Sequence, residues 1–261
     1  MITSISNTQI KQVCSYVQKA KERRKDEVFV VEGAKMFEEA PVEWILKVYV
    51  TESFLLKYTS KEIAAKLKKV PYETVSEEVF LKMSDTKTPQ GVLCVMKWPK
   101  YSLRDILKDP NGVYVLLEDV QDPGNLGTII RTGEGAGIAG VIMTRETVDI
   151  FNPKVIRATM GSVYRVPFIY VDSLETAIKA LQEQGVSVYA AHLKGDCFYD
   201  ACDYTLGSAF LIGNEGNGLK ETTADLADKY VKIPMAGKVE SLNAAIATSL
   251  FMYEAKRQRG F

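Results

Sequence analysis

Three short runs in this chain combine amides, hydroxyls, a carboxylate and a guanidinium with glycines, and each directly follows or contains an apolar run. The first is Glu118-Asp119-Val120-Gln121-Asp122-Pro123-Gly124-Asn125-Leu126-Gly127-Thr128-Ile129-Ile130-Arg131-Thr132, after the apolar Val113–Leu117. The turn signal Asp122-Pro123-Gly124 predicts a helix opening at Asn125, on which Asn125, Thr128 and Arg131 recur every third residue and share a face. Such a face at a strand exit can hold a phosphate or a ribose. Asn125 alone is as well explained as a helix N-cap, whereas the set together points to a site. The second run, Gly213-Asn214-Glu215-Gly216-Asn217-Gly218, offers backbone freedom and one carboxylate, with a plain Asn-Gly turn as its bland alternative. The third, Ile233-Pro234-Met235-Ala236-Gly237, sets main-chain donors and acceptors beside apolar side chains, which suits an adenine-like ring. Ser241-Leu242-Asn243 follows, where Ser241 is expected to cap the last helix and Asn243 to point back into the same crevice.

Other chemistries fit poorly. Gly133, Gly135 and Gly137 lie well inside the first predicted helix, and Gly213, Gly216 and Gly218 have the longer gap first. Neither set matches G-x-G-x-x-G, and no G-x-x-x-x-G-K-[ST] loop occurs, so nicotinamide and nucleoside-triphosphate chemistry are poorly supported. The single histidine, His192, argues against histidine-based acid–base work. Cys14, Cys94, Cys197 and Cys202 form no CxxC pair, so they are expected to be reduced, buried thiols and not metal ligands.

The elements that must position these residues follow from hydrophobic periodicity. Residues 4–25 read as a helix, Val28–Val31 as a strand, 32–39 as the start of a helix, Ile45–Val50 as a strand, Lys61–Lys69 as a helix and Gly91–Met96 as a strand. From Val113 the pattern alternates, with strands at Val113–Leu117, Gly140–Thr144, Ser187–Ala191, Ala209–Ile212 and Tyr230–Ile233. Helices are expected near 125–137, 152–160, 173–184, 217–227 and 242–257. Near-continuous apolar strands alternating with helices imply a parallel sheet covered on both faces. The fold class is therefore α/β, with a small domain at 1–97, a linker at 98–111 marked by Asp109-Pro110-Asn111-Gly112, and a larger domain at 112–261. Ala244, Ala245, Ala247, Ser249 and Leu250 make the last helix smooth enough for core packing or a subunit contact.

The 261 residues are 46% hydrophobic and 25% charged, ordinary for a globular protein, with no apolar run of membrane-spanning length and no signal-peptide pattern at the start. A cytoplasmic location is expected. The net charge of zero conceals an asymmetry: residues 1–100 hold 17 Lys and Arg against 13 acidic residues, and the remainder 16 against 20. The basic excess is concentrated at 19–25 and 66–69. Such clusters are commonly solvated helix faces, but they favour a nucleic-acid contact if the rest of the chain points that way.

Taken together, Asn125–Thr132, Leu211–Gly216, Ile233–Met235 and Ser241–Asn243 resemble the motifs of the SpoU (TrmH-type) RNA ribose 2′-O-methyltransferases of the SPOUT superfamily. Phe29–Gly33 with Pro89–Val92 resembles the N-terminal RNA substrate-binding domain seen in many members. The resemblance implies a C-terminal trefoil knot, S-adenosyl-L-methionine as methyl donor with no metal, a homodimer with sites near its interface, and RNA as partner, ribosomal RNA ahead of transfer RNA. It also implies that Gly213, Ile233 and Leu242, with Met235 beside them, contact the donor. Asn125, Arg131, Glu215, Ser241 and Asn243 match positions tied to catalysis or RNA placement. A non-catalytic RNA-binding or assembly factor retaining the fold is the alternative.

Overall fold

The computed structural model describes residues 1–57 and 60–260. Contacts divide the chain into two compact units: residues 1–100 with 149–164, and residues 101–148 with 165–261. The segment 98–111, expected as a linker, is thus split after Lys100. Residues 149–164, expected in the larger domain, pack with the first unit.

In the first unit, helices α1 (Thr8–Gln18) and α2 (Ala20–Asp26) precede strand β1 (Val28–Glu32). One helix was expected over 4–25. The break falls at Lys19, whose backbone is extended while its N–H still closes α1 on Ser15. Then follow α3 (Ala34–Glu39), β2 (Ile45–Thr51), α4 (Glu52–Lys57), α5 (Lys61–Leu67), β3 (Tyr72–Val75), α6 (Glu77–Met83) and β4 (Val92–Lys97). The four strands are ordered β1-β4-β2-β3, and only the β2–β3 pair is parallel. Ile10 and Val13 of α1, Val79, Phe80 and Met83 of α6, and Val30, Leu93 and Val95 of the sheet form one buried cluster. The segment from 149 to 164 is held here by Phe151, stacked on Trp98 with ring centroids 4.8 Å apart, and by a 2.7 Å ion pair between Asp149 and the buried Arg23.

The second unit begins with α7 (Leu103–Ile106), whose Ser102 and Asp105 form a capping box and whose Ile106 is buried. Next come β5 (Val113–Leu117), α8 (Pro123–Ala136) and β6 (Gly140–Thr144). After α9 (Pro153–Thr159) of the first unit, the chain returns with β7 (Phe168–Val171), α10 (Glu175–Glu183), β8 (Ser187–Ala191), β9 (Cys197–Phe198) and β10 (Ser208–Ile212). It ends with α11 (Glu221–Ala224), β11 (Lys229–Lys232) and α12 (Ala244–Gln258). Seven strands form a sheet of order β7-β6-β5-β10-β8-β11-β9 in which every pairing is parallel. The α/β parallel architecture expected from the alternating pattern is the one observed.

Strand side chains alternate between the two faces, which divides the core. Tyr114, Leu116, Ala209 and Leu211 share a cluster with Ala177, Ile178 and Leu181 of α10. On the other face Phe210 meets Phe251 of α12 with centroids 5.3 Å apart. Here α12 also packs on α8, close enough that a Cβ on Gly133 would crowd Ile138 and reach the Met252 sulfur. Gly133 is therefore explained by packing. The helix expected at 217–227 is reduced to α11, because residues 214–218 close into a tight turn first. The short strands β3, β7 and β9 lay outside the expected set.

The strand order has one consequence for function. β5 connects onward to β6 on one side of the sheet, whereas its neighbour β10 connects onward to β11 on the other. The crevice beyond the carboxyl ends of two such strands is where open α/β sheets bind ligands.

Candidate active site

At that crevice the loops after β5 and β10 are stitched together by side chains. Asp119 takes a left-handed backbone conformation (φ 56°) and its carbonyl accepts the Asn214 side-chain amide at 2.8 Å. The Asn214 Oδ1 accepts the backbone N–H groups of Gly216 and Asn217, while its backbone pairs twice with Gly218. This turn folds back over Gly213, where any Cβ would overlap the Gly218 carbonyl and the Leu219 amide. Gly213 is thus required by the approach of its own turn, and Gly218 supplies the positive φ that closes it.

Below the turn, buried Glu118 accepts the backbone N–H of Lys220 at 2.8 Å and the Thr223 hydroxyl. Lys220 in turn pairs with Asp119 at 2.7 Å. The Lys220 ammonium and the Thr144 hydroxyl hold the Asp119 carboxyl below its ordinary range, against the opposing effect of burial.

Glu215 is the hub of a second network. Its carboxylate accepts the backbone N–H groups of Gln121 and Asp122, both at 3.0 Å, and the Asn125 Nδ2 at 2.8 Å. Burial alone raises the Glu215 pKa, but these donors outweigh it and leave the carboxyl below its usual value. The Asn125 Oδ1 then accepts the Asn243 Nδ2 at 2.8 Å. Asn125 is only 7% exposed, so its two bonds are what make its burial tolerable.

The caps differ from those expected. Asp122 is the N-cap of α8, accepting the Asn125 N–H at 2.8 Å, with Pro123 at the first helical position. Asn125 is therefore freed from capping to bridge Glu215 and Asn243. Asn243, not Ser241, caps α12: its Oδ1 accepts from Ala245 and Ile246 while its Nδ2 reaches Asn125. One amide does both tasks. Ser241 is exposed two residues earlier.

Beside this junction lies a cavity of about 410 Å³, lined among others by Ile212, Gly213, Glu215, Ile233, Met235, Ser241, Leu242 and Phe251. All four expected donor contacts, Gly213, Ile233, Met235 and Leu242, line it, together with Glu215 and Ser241. The single histidine, His192, lines it too, its ring 4.8 Å from that of Tyr230. Asn125, Asn243 and Arg131 are not among the lining residues. Arg131 is exposed on α8, whereas Asn125 is buried, so the shared face expected for Asn125, Thr128 and Arg131 is not formed. Six residues of a helix turn through about 240° beyond a full revolution, which separates the two ends of that series.

A 410 Å³ cavity is within the usual range for small-molecule sites, about 300–1,000 Å³. Its apolar walls at Ile212, Ile233 and Leu242 suit a purine, and its polar rim suits a charged tail. Among the described residues no cluster of three or more His, Cys, Asp or Glu side chains is arranged to hold a metal ion. No described helix is long and apolar enough to cross a membrane.

Residues 112–253 match the SpoU rRNA Methylase family model, and residues 7–94 match the MRM3-like substrate binding domain. The chain is 30% identical to the 23S rRNA (guanosine(2553)-2′-O)-methyltransferase RlmP of Bacillus subtilis, over 90% of this chain and 91% of that protein. An AdoMet-bound rRNA methyltransferase from Sinorhizobium meliloti superposes with a TM-score of 0.86 at 34% identity, covering 98% of this chain and 97% of the other. The SpoU methyltransferase AviRb from Streptomyces viridochromogenes, in complex with AdoMet, gives 0.87 at 27% identity, covering 97% and 98%. The stitched strand exits, the cavity beside them and these similarities over nearly the whole chain together make the chain a member of the SpoU rRNA methylase family.

Proposed function

We propose that this protein is an S-adenosyl-L-methionine-dependent RNA ribose 2′-O-methyltransferase acting on ribosomal RNA, in the cytoplasm. The observation that carries the reading is the Glu215–Asn125–Asn243 relay standing against a cavity lined by Gly213, Ile233 and Leu242. The methyl donor supplies an already activated methyl group on a sulfonium. The protein's task is then mainly to hold a weakly nucleophilic hydroxyl in line with it. Gly213, Ile233, Met235 and Leu242 hold the donor through backbone groups and apolar contact. Glu215 orients Asn125 and Asn125 orients Asn243, which keeps one amide proton uncommitted beside Leu242. Ser241, on the same wall, offers a hydroxyl to the RNA.

Arg131 is assigned to the RNA. Exposed on α8, it can grip the phosphate next to the target ribose with its planar fork and stabilise the developing alkoxide. Acting as a base would require deprotonating a guanidinium that stays charged in proteins. Because Arg131 does not line the cavity of its own chain, we assign it to the cavity of a second copy in a homodimer. Ile246 and Tyr253, exposed on α12, support that contact. The 1–97 domain, with its basic residues, is assigned to RNA selection. A trefoil knot in the C-terminal part is supported by β10 lying between β5 and β8 and by α12 returning against α8.

The test is ribose-methylation mapping of total RNA with and without the gene, followed by transfer in vitro to the RNA so identified. Loss of a single 2′-O-methyl in ribosomal RNA is the expected result. A lost position in transfer RNA would move the substrate, and no loss with no donor binding would favour an RNA-binding assembly factor. Arg131→Lys is expected to cut methylation while leaving RNA affinity within about two-fold. Full activity in that variant would reject a specific guanidinium role.

A further inference from the structure

Cys197 and Cys202 take no part in the reading above, yet their sulfurs lie 2.8 Å apart, closer than unbonded sulfurs normally sit. A disulfide needs them at about 2.05 Å, so the closing movement is under an ångström. The pair differs in access: Cys197 is half-buried, whereas Cys202 is 5% exposed. The loop between them is held from outside on both flanks. β9 pairs with β11 through Cys197 opposite Val231, and the Tyr199 N–H donates to the Lys232 carbonyl at 3.0 Å. On the other flank the Gln258 side chain of α12 donates to the Cys202 carbonyl at 2.9 Å and accepts the Tyr204 N–H at 2.7 Å. The two thiols are therefore held together by the backbone around them.

We propose that Cys197 and Cys202 form a reversible redox pair, oxidised by a peroxide to an intrachain disulfide and restored by a dithiol. Cys197, the accessible thiol, attacks the peroxide O–O bond, becomes a sulfenic acid and releases the peroxide's other oxygen as an alcohol or, from hydrogen peroxide, as water. The Cys202 sulfur then attacks the Cys197 sulfur, the sulfenic oxygen leaves as water, and the Cys202 thiol proton goes with it. Two thiols lose two electrons and two protons, and the peroxide takes up both. Burial and the neighbouring Cys197 push the Cys202 thiol up to about 11, which keeps it protonated at neutral pH and assigns the first attack to Cys197. The inference stands apart from methyl transfer, so its failure leaves that reading intact.

The experiment uses the full chain treated with hydrogen peroxide, then denatured, alkylated and digested with trypsin. The peptide spanning 195–220 is expected to be lighter by two hydrogens and unalkylated, and to take two alkyl groups after dithiothreitol. Cys14 and the fully buried Cys94 serve as internal references and remain alkylated. Closing so short a loop is expected to raise the melting temperature of the oxidised protein by a few degrees. In Cys197→Ser, whose side chain is half-buried, peroxide is expected to leave both peptide mass and melting temperature unchanged. Over-oxidation of Cys197 with Cys202 still alkylatable would overturn the proposal. So would oxidation of Cys14 before the pair, or a disulfide that lowers the melting temperature.

Discussion

The polar junction at Glu215, Asn125 and Asn243 and the cavity beside it share the exit of β10 and Glu215 itself, but one is held mainly by hydrogen bonds and the other mainly by steric fit. In the junction each residue comes from a different part of the chain, and nearly every polar atom has a named partner. In the cavity the apolar walls at Ile212, Ile233, Leu242 and Phe251 meet a polar rim that includes Glu215 and Ser241, and its shape depends on the turn that presses on Gly213. The junction is specified by hydrogen bonds across about 90 to 120 positions of sequence, from Asn125 to Glu215 and to Asn243. The cavity is specified by steric fit between four segments, 191–194, 212–219, 231–235 and 240–251. Damage to one is therefore expected to change turnover, and damage to the other to change donor affinity.

The sharpest way to break that division is Gly213→Ala. Its Cβ overlaps backbone that cannot give way, so the turn must unfold, and donor affinity is expected to fall by about a hundredfold or more in calorimetric titration. Unchanged affinity would show that the turn does not shape the cavity.

Asn125→Asp comes next. It sets a second carboxylate against Glu215, where the amide now donates at 2.8 Å, while keeping an oxygen that can accept from Asn243. Single-turnover methylation is expected to drop by about two orders of magnitude, with donor affinity reduced far less. Equal losses in both would merge the two regions into one.

Leu242→Ala tests the cavity alone. Loss of a half-buried apolar wall is expected to weaken donor binding by about three- to thirty-fold with little change in the rate at saturating donor. Asn243→Ala, by contrast, removes both the α12 cap and the bond to Asn125. It is expected to cost about 1 kcal/mol of stability in denaturant titration, as well as activity.

The smallest effect concerns pH. Glu215 and Asp119 both have folded-state pKa values below their ordinary ones. Their contribution is therefore present in full above the unfolded values and is lost as pH falls through the folded ones. Melting temperature is expected to decline below about pH 4, and Glu215→Gln is expected to flatten part of that decline. An acid limb identical in the variant would remove Glu215 from the account.

Much of this was legible from residue types. The apolar runs Val113–Leu117, Gly140–Thr144 and Ser187–Ala191 appear with the boundaries their composition implies, because a strand buried on both faces needs little beyond continuous apolar character. Asp122 as N-cap is consistent with its local chemistry, since Asp before Pro and Gly is a strong helix start, although Asn125 three residues on has the same capping chemistry. The exchange of roles between Ser241 and Asn243 was not legible. Either residue can cap a helix, and only the position of Asn125 in space decides which one does. Cys197 and Cys202 are near neighbours in sequence, but that their sulfurs meet depends on β9, a two-residue strand no periodicity can reveal.

By itself the sequence determined the α/β alternation, the parallel sheet and the three polar runs that lead into the site. These depend on period, composition and local turn chemistry, which neighbouring residues carry among themselves. Tertiary structure alone decided that Glu215 reaches Asn125, that Asn243 serves two partners, that Arg131 faces outward and that residues 149–164 pack with the first unit. Those outcomes turn on distances between residues far apart in the chain, which are set by how strands are ordered in the sheet and not by any local preference.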